Sequence, residues 1–227
     1  MITLYELKGT GERLYSLFSW RTRMALAHKG LHFESHPVPM SDKAALAFSG
    51  GKTVPVIRDG ETVVRDSWKI AEHLEAAYPD APSLFGGAIG HGLSQTFNIW
   101  ADRTLVPTIL PIVVADLFER IDPLDTDFFR AMMEGFLKTR LEDTLAGRDK
   151  AIERLGRTLD PLRAALKRQP FVSGAAPAYA DYIAFSVFQW ARVGSPHAIL
   201  AGDDPLLAWR ERILDLHSGF ARNVPVA

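Results

Sequence analysis

The chain has 227 residues, enough for one large or two modest domains, and its 47% hydrophobic and 23% charged content is that of an ordinary globular protein. A formal net charge of −1 gives no overall field to gather nucleic acid or an anionic membrane, and no segment approaches the roughly 20 apolar residues of a membrane span. The sequence has no cysteine, which excludes disulfides, a thiolate nucleophile and a CxxC redox pair, so any sulfur chemistry needs a thiol supplied by another molecule.

The first residues carry neither a basic leader nor an apolar run, so a cytoplasmic chain is expected. Residues 2–7 alternate as a short strand does, and residues 16–29 repeat Leu17, Trp20, Met24 and Ala27 at helical spacing before Gly30, which suits a C′ position. A second strand is expected over 31–38, a short helix over 42–48, and strands over 54–57 and 62–65 around the turn signal Asp59-Gly60. A helix over 67–78 then puts Ile70, Leu74 and Tyr78 on one face. Pro79 to Pro82 ends it, and Gly86, Gly87, Gly90 and Gly92 read as a linker. Helices are expected over 93–105, 109–120, 127–145, 149–167, 179–193 and 206–214, with Pro107, Pro111 and Pro161 kinking or splitting them. The units are therefore 1–82, a linker at 83–92, and an all-helical 93–227.

Two short segments carry chemistry. Lys52-Thr53-Val54-Pro55-Val56-Ile57 reads as a strand entered through an X-Pro bond. Arg65-Asp66-Ser67-Trp68 reads as a strand running into a helix whose first N–H groups and dipole suit an anion. Other patterns fall away. Gly9-Thr10-Gly11 lacks the third glycine of a dinucleotide loop, His32 and His36 belong to no metal cluster, and Asp122, Asp125 and Asp127 lack the glycine and glutamate of a calcium loop. Those aspartates read as helix-start or solvated acids, and no metal is expected.

These segments, with Tyr15-Ser16 to Gly30 upstream, resemble the glutathione transferase family over the whole chain. The resemblance implies a thioredoxin-like α/β domain followed by an all-helical domain, with glutathione as co-substrate and a homodimeric assembly. It further implies that Ser67 holds the γ-glutamyl carboxylate, Asp66 the ammonium, and Lys52 the glycyl carboxylate, with Lys43 and Arg13 as competitors. Pro55 would be cis and turn the backbone of Val54 toward the cysteinyl unit. Ser16 would hold the thiolate, with Tyr15 and Ser19 competing. The segment from Gly174 to Asp181 is similar to the family's buried helix cap, Asp181 serving the backbone. An apolar aromatic electrophile would meet Phe97, Trp100 and Trp190. Trp20-Arg21-Thr22-Arg23 and Phe188-Gln189-Trp190-Ala191-Arg192 are most similar to the branch of fungal FuA-class transferases and bacterial LigE-type β-etherases, which cleave β-aryl ethers of lignin-derived dimers. Leu17 stands where the family often has proline, and Ala178 where it has Ser, Thr or Asn. These departures keep a non-catalytic ligand-binding protein open, and Ser19-Trp20-Arg21 keeps open a zeta-like isomerase.

Overall fold

In the computed structural model, which describes residues 1–227, the N-terminal alternation becomes β1 (Ile2–Glu6), with Ile2, Leu4 and Glu6 buried. There follow α1 (Leu17–His28), β2 (Phe33–Pro37), a 3-10 turn (Ala44–Ser49), β3 (Val56–Asp59), β4 (Thr62–Arg65) and α2 (Ser67–Ala77). The sheet order is β2-β1-β3-β4. Leu4 stands opposite Ser35 in the parallel pair with β2 and opposite Ile57 in the antiparallel pair with β3. The parallel pair needs a crossover, and α1 supplies it. This is the expected α/β arrangement. β3 starts at Val56, two residues later than expected, because Pro55 has no N–H to give the ladder. The hairpin turn is Gly60-Glu61, with Gly60 at φ +58°.

The second half is helical: α3 (Ala88–Trp100), a π turn (Ala101–Leu105), α4 (Val106–Phe118), α5 (Thr126–Leu137), α6 (Arg148–Thr158), α7 (Asp160–Leu166), α8 (Tyr179–Gly194) and α9 (Pro205–Gly219). Three boundaries differ from expectation. Gly86 and Gly87 have positive φ and end the preceding segment, but Gly90 and Gly92 lie inside α3. At Gly90 a Cβ would meet the Phe85 carbonyl oxygen, so glycine there permits a close backbone approach. Pro107 and Pro111 do not split their segment. Pro107 stands in the first turn of α4, directly after the π turn, and Pro111 lies inside α4 without ending it. The helix expected over 127–145 instead stops at Lys138, which takes a left-handed φ of +58°, while the Glu134 carboxylate accepts from Leu141 N–H at 3.1 Å. No helix is long and apolar enough to cross a membrane.

The two halves share one core, with α1 packed on the buried α8. Arg21 is fully buried between them: it donates to Ser186 Oγ at 3.2 Å and Asn98 Oδ1 at 2.8 Å, and pairs with Asp102 of the π turn at 2.8 Å. A guanidinium removed from water needs such acceptors and a counter-charge, although the nitrogen facing Asp102 makes an ion pair there without a well-aligned hydrogen bond. At the start of α8, Asp181 is shielded from solvent and accepts from the amides of Val172, Ser173 and Ala178 and from Trp209 Nε1. Ala178 offers no side-chain cap, and its carbonyl takes the Asp181 N–H at 3.0 Å.

A titratable cluster also crosses the seam. His28 Nε2 lies 3.1 Å from the Ser83 carbonyl and its Nδ1 lies 2.7 Å from the Tyr182 hydroxyl, which is 3.4 Å from His217 Nε2. A carbonyl only accepts, so neutral His28 carries its proton on Nε2 and takes the Tyr182 proton at Nδ1. Burial pushes the pKa of both histidines down; the Ser83 carbonyl opposes this at His28, and His28 adds to it at His217. The unfolded chain therefore takes up protons at about pH 6.5, where the folded chain still resists. Stability is full above that pH and falls as the pH drops toward the folded-state values. The melting temperature should be a few degrees lower at about pH 5.5 than at about pH 7.5, and His28→Gln should shrink the difference.

Candidate active site

The local chemistry of the two signal segments converges on one cavity. The Val54-Pro55 bond is cis, and the Pro55 carbonyl accepts from the Asp66 N–H at 3.2 Å, tying the entry of β3 to the start of α2. Asp66 takes a left-handed φ of +77°, a costly conformation for a non-glycine residue that recurs at ligand-binding sites. Its Oδ1 accepts from Trp68 N–H at 3.0 Å and Lys69 N–H at 3.1 Å, so Asp66 is the N-cap and Ser67 the first helical residue. The Ser67 carbonyl is held by the Tyr179 hydroxyl of α8 at 2.7 Å, which anchors this helix start against the helical half.

At the start of α1, Ser16 is the N-cap, and its Oγ accepts from Ser19 N–H at 3.2 Å. Accepting leaves its own O–H free to donate, at the positive end of a helix of 12 residues.

Ser16, Lys52, Val54, Pro55, Asp66, Ser67 and Trp190 all line a cavity of about 750 Å³, a volume ordinary for small-molecule sites. One side is polar: Lys43, Lys52, Arg65 and Lys69 face a single acid, Asp66. Lys43 Nζ sits 4.5 Å from the Phe128 ring centroid, and burial lowers its pKa, with Asp125 opposing and Lys52 adding to the effect. Arg65 is tied to the Gly50 carbonyl at 2.5 Å. The other side is apolar, built from Phe18, Met40, Leu117, Phe129, Met132, Met133 and Trp190. Such a vessel can hold an anionic peptide at one end and an apolar partner at the other.

Residues 15–77 match the family model for the glutathione S-transferase N-terminal domain, and residues 92–201 match that for the C-terminal domain. The chain belongs to the glutathione S-transferase family. It is 35% identical to glutathione S-transferase Z1 of Arabidopsis thaliana over 92 residues, which is 34% of this chain and 41% of that protein. It is 38% identical to a zeta-class enzyme of Euphorbia esula over 81 residues, 32% of this chain and 36% of that one. The matched stretches thus span less than half the length of these curated relatives. Among solved structures, GSTFuA2 of Phanerochaete chrysosporium aligns at a TM-score of 0.78 with 26% identity, over 100% of this chain and 99% of that one. A glutathione S-transferase of Ceriporiopsis subvermispora in complex with glutathione aligns at 0.86 with 24% identity over the same shares, which speaks for the fold.

Within this transferase fold, Phe97 and Trp100 lie off the cavity. They stack on each other with ring centroids 5.2 Å apart and pack on the core. Helical spacing put them on one face, but nothing in it distinguishes a face toward a cavity from one toward the core. The competitors separate as well. Tyr15 lines the cavity, but its buried hydroxyl has no hydrogen-bond partner, and burial, with Asp125 and Asp122 adding, holds its phenol well above the usual range. Ser19 gives its amide to Ser16 and its side chain is not part of the cavity wall. Arg13 is engaged with the carbonyls of Thr10 and Val226 away from the cavity, whereas Lys43 lies on its wall. The apolar wall on α5 is not among the residues expected from the sequence. Phe129, Met132 and Met133 have the i, i+3, i+4 spacing that could have marked it.

Proposed function

We propose that this glutathione S-transferase is a cytoplasmic enzyme of the serine type, in which Ser16 stabilises the thiolate of bound glutathione for attack on an apolar aromatic electrophile. The observation that carries the reading is the convergence of Ser16, Val54-Pro55 and Asp66-Ser67 on one cavity whose remaining wall is apolar. The charges fit the tripeptide. Its γ-glutamyl carboxylate meets the start of α2, its ammonium the free oxygen of Asp66, and its glycyl carboxylate Lys52, with Lys43 beside it. The backbone of Val54 pairs with the cysteinyl unit as a neighbouring strand would. Ser16 O–H donates to the sulfur, and the α1 dipole adds to its effect.

For the electrophile we favour an α-aryloxy ketone, supported by the 26% identity to FuA-class structures and by the aromatic and methionine wall. The sulfur forms a bond to the carbon beside the ketone as the C–O bond breaks, and the phenolate leaves with the electron pair and takes a proton from water. A zeta-like isomerase is the second reading, favoured by the 35% identity to glutathione S-transferase Z1, and turnover of a cis-dienoic diketo acid would single it out. Ile89 and Leu93, exposed on α3 and continuing toward Phe97 and Trp100, support a homodimer.

Ultraviolet titration of bound glutathione tests the activation step. The thiol should ionise at about pH 6.5, two units below the roughly 8.5 of a free cysteine thiol. A bound thiol that still titrates near 8.5 would turn the reading to a glutathione-fold binding protein.

A further inference from the structure

The turn before α5 holds another enclosed carboxylate, and it serves the cavity from outside. Asp125 is 1% exposed. Its Oδ2 accepts from Met40 N–H at 2.7 Å, and its Oδ1 accepts from Ser41 N–H at 2.8 Å and Ser41 Oγ at 2.6 Å. These three donors belong to the irregular stretch after β2, and Val38, Pro39, Met40 and Lys43 of that stretch line the cavity. A carboxylate removed from water is tolerated only with such a set, and bonds to a charged acceptor are about twice as strong as neutral ones. Val38 N–H is still held by the Glu6 carbonyl of β1 at 2.9 Å, but beyond it the loop has no strand partner and would otherwise be free to move away from the cavity. The grip is also well placed. Asp125 immediately precedes α5, whose Phe129, Met132 and Met133 form the apolar wall, and α5 carries Phe128, on which Lys43 lies. One side chain therefore sets the basic edge of the glutathione end relative to the electrophile end. Asp125 stands at a helix start as expected, in the N-cap position of α5, but it is not solvated and its side chain caps nothing there: Asp122 caps the preceding turn by accepting from Leu124 N–H at 2.9 Å, and Asp125 spans the two halves.

We propose that Asp125 is a positioning residue for glutathione: by clasping Met40 and Ser41 it holds the loop that brings Lys43 to the glycyl end of the bound tripeptide. The proposal rests on the glutathione reading of the cavity.

The test compares the full chain with Asp125→Asn and the milder Ser41→Ala by hydrogen exchange, glutathione calorimetry and steady-state kinetics. Asp125→Asn should raise both the glutathione Kd and the KM for glutathione about tenfold, and Ser41→Ala about threefold, the loss expected for bonds to a charged group. Exchange at the Met40 and Ser41 amides should quicken in parallel. At saturating glutathione kcat should stay within about twofold of wild type, and the bound thiol pKa should not rise, because Ser16 lies on another element and loss of the Asp125 charge can only ease ionisation. A general loss of structure would lower kcat with the melting temperature instead, which would overturn the positioning role. So would faster amide exchange with unchanged glutathione affinity. If Asp125→Asn does not fold, Ser41→Ala decides by the same readouts. A wild type that binds no glutathione would overturn the reading beneath the proposal, and is told apart because it shows before any variant is made.

Discussion

Asp181→Ala should lower the free energy of unfolding by about 3–5 kcal/mol, a large part of the 5–15 kcal/mol that holds a typical domain. The carboxylate takes Val172 N–H at 2.7 Å and Trp209 Nε1 at 2.9 Å on one oxygen, and Ser173 N–H at 3.1 Å and Ala178 N–H at 3.2 Å on the other. Alanine leaves four donors without an acceptor in a region shielded from solvent. Each costs about 1–3 kcal/mol, less than additively because water can enter the space. Asp181→Asn keeps one oxygen but aims an amide at the second pair of donors, so about half the loss is expected. Denaturant unfolding with an unchanged m value is the measurement, and a loss under about 1 kcal/mol for Asp181→Ala would contradict the argument. The effect also reaches the site. Tyr179, two residues before Asp181, holds the Ser67 carbonyl at 2.7 Å, so loosening the start of α8 should weaken glutathione binding in the part of the population that stays folded.

The parts of the site that were legible in the sequence are those written in adjacent residues. Val54-Pro55 and Asp66-Ser67 each combine a residue type with one local conformation, and both pairs line the cavity. Likewise, Pro161 marks the start of α7 because a proline in the first turn of a helix sacrifices no hydrogen bond. What was not legible depends on contacts beyond adjacent residues, from a few positions away to the other half of the chain. The end of α5 at Lys138 follows from Glu134 reaching the Leu141 amide, and no local propensity favours a left-handed lysine. Pro107 and Pro111 signal a break, but the buried Leu105, Ile109, Leu110, Ile112 and Val113 gain more by staying helical within the core. Asp125 is a plain acid in a turn until the loop 85 residues upstream supplies its donors. Phe97, Trp100 and Trp190 are all aromatic residues on helices; only the packing of those helices puts Trp190 on the cavity and the other two away from it.

Ser16→Ala should return the bound thiol from about pH 6.5 to about 8.5, the loss of roughly 2.7 kcal/mol of preference for the anion. At pH 6.5 the ionised fraction would fall from about one half to about one hundredth, so conjugation of a model electrophile should slow about fiftyfold at saturating glutathione. The KM for glutathione should change little, because the peptide is held mainly at the start of α2 and along Val54. Tyr15→Phe is the informative companion. The Tyr15 hydroxyl is enclosed, and the nearby Asp125 and Asp122 raise its pKa, a field that would oppose a thiolate beside it just as it opposes a phenolate. The Ser16 hydroxyl stands instead at the positive end of α1, with its oxygen satisfied by the Ser19 amide and its proton free. Tyr15→Phe should therefore leave the thiol pKa where it is. If the depression survives Ser16→Ala and disappears with Tyr15→Phe, the hydroxyl donor is the tyrosine, and the field argument that favours serine fails with it.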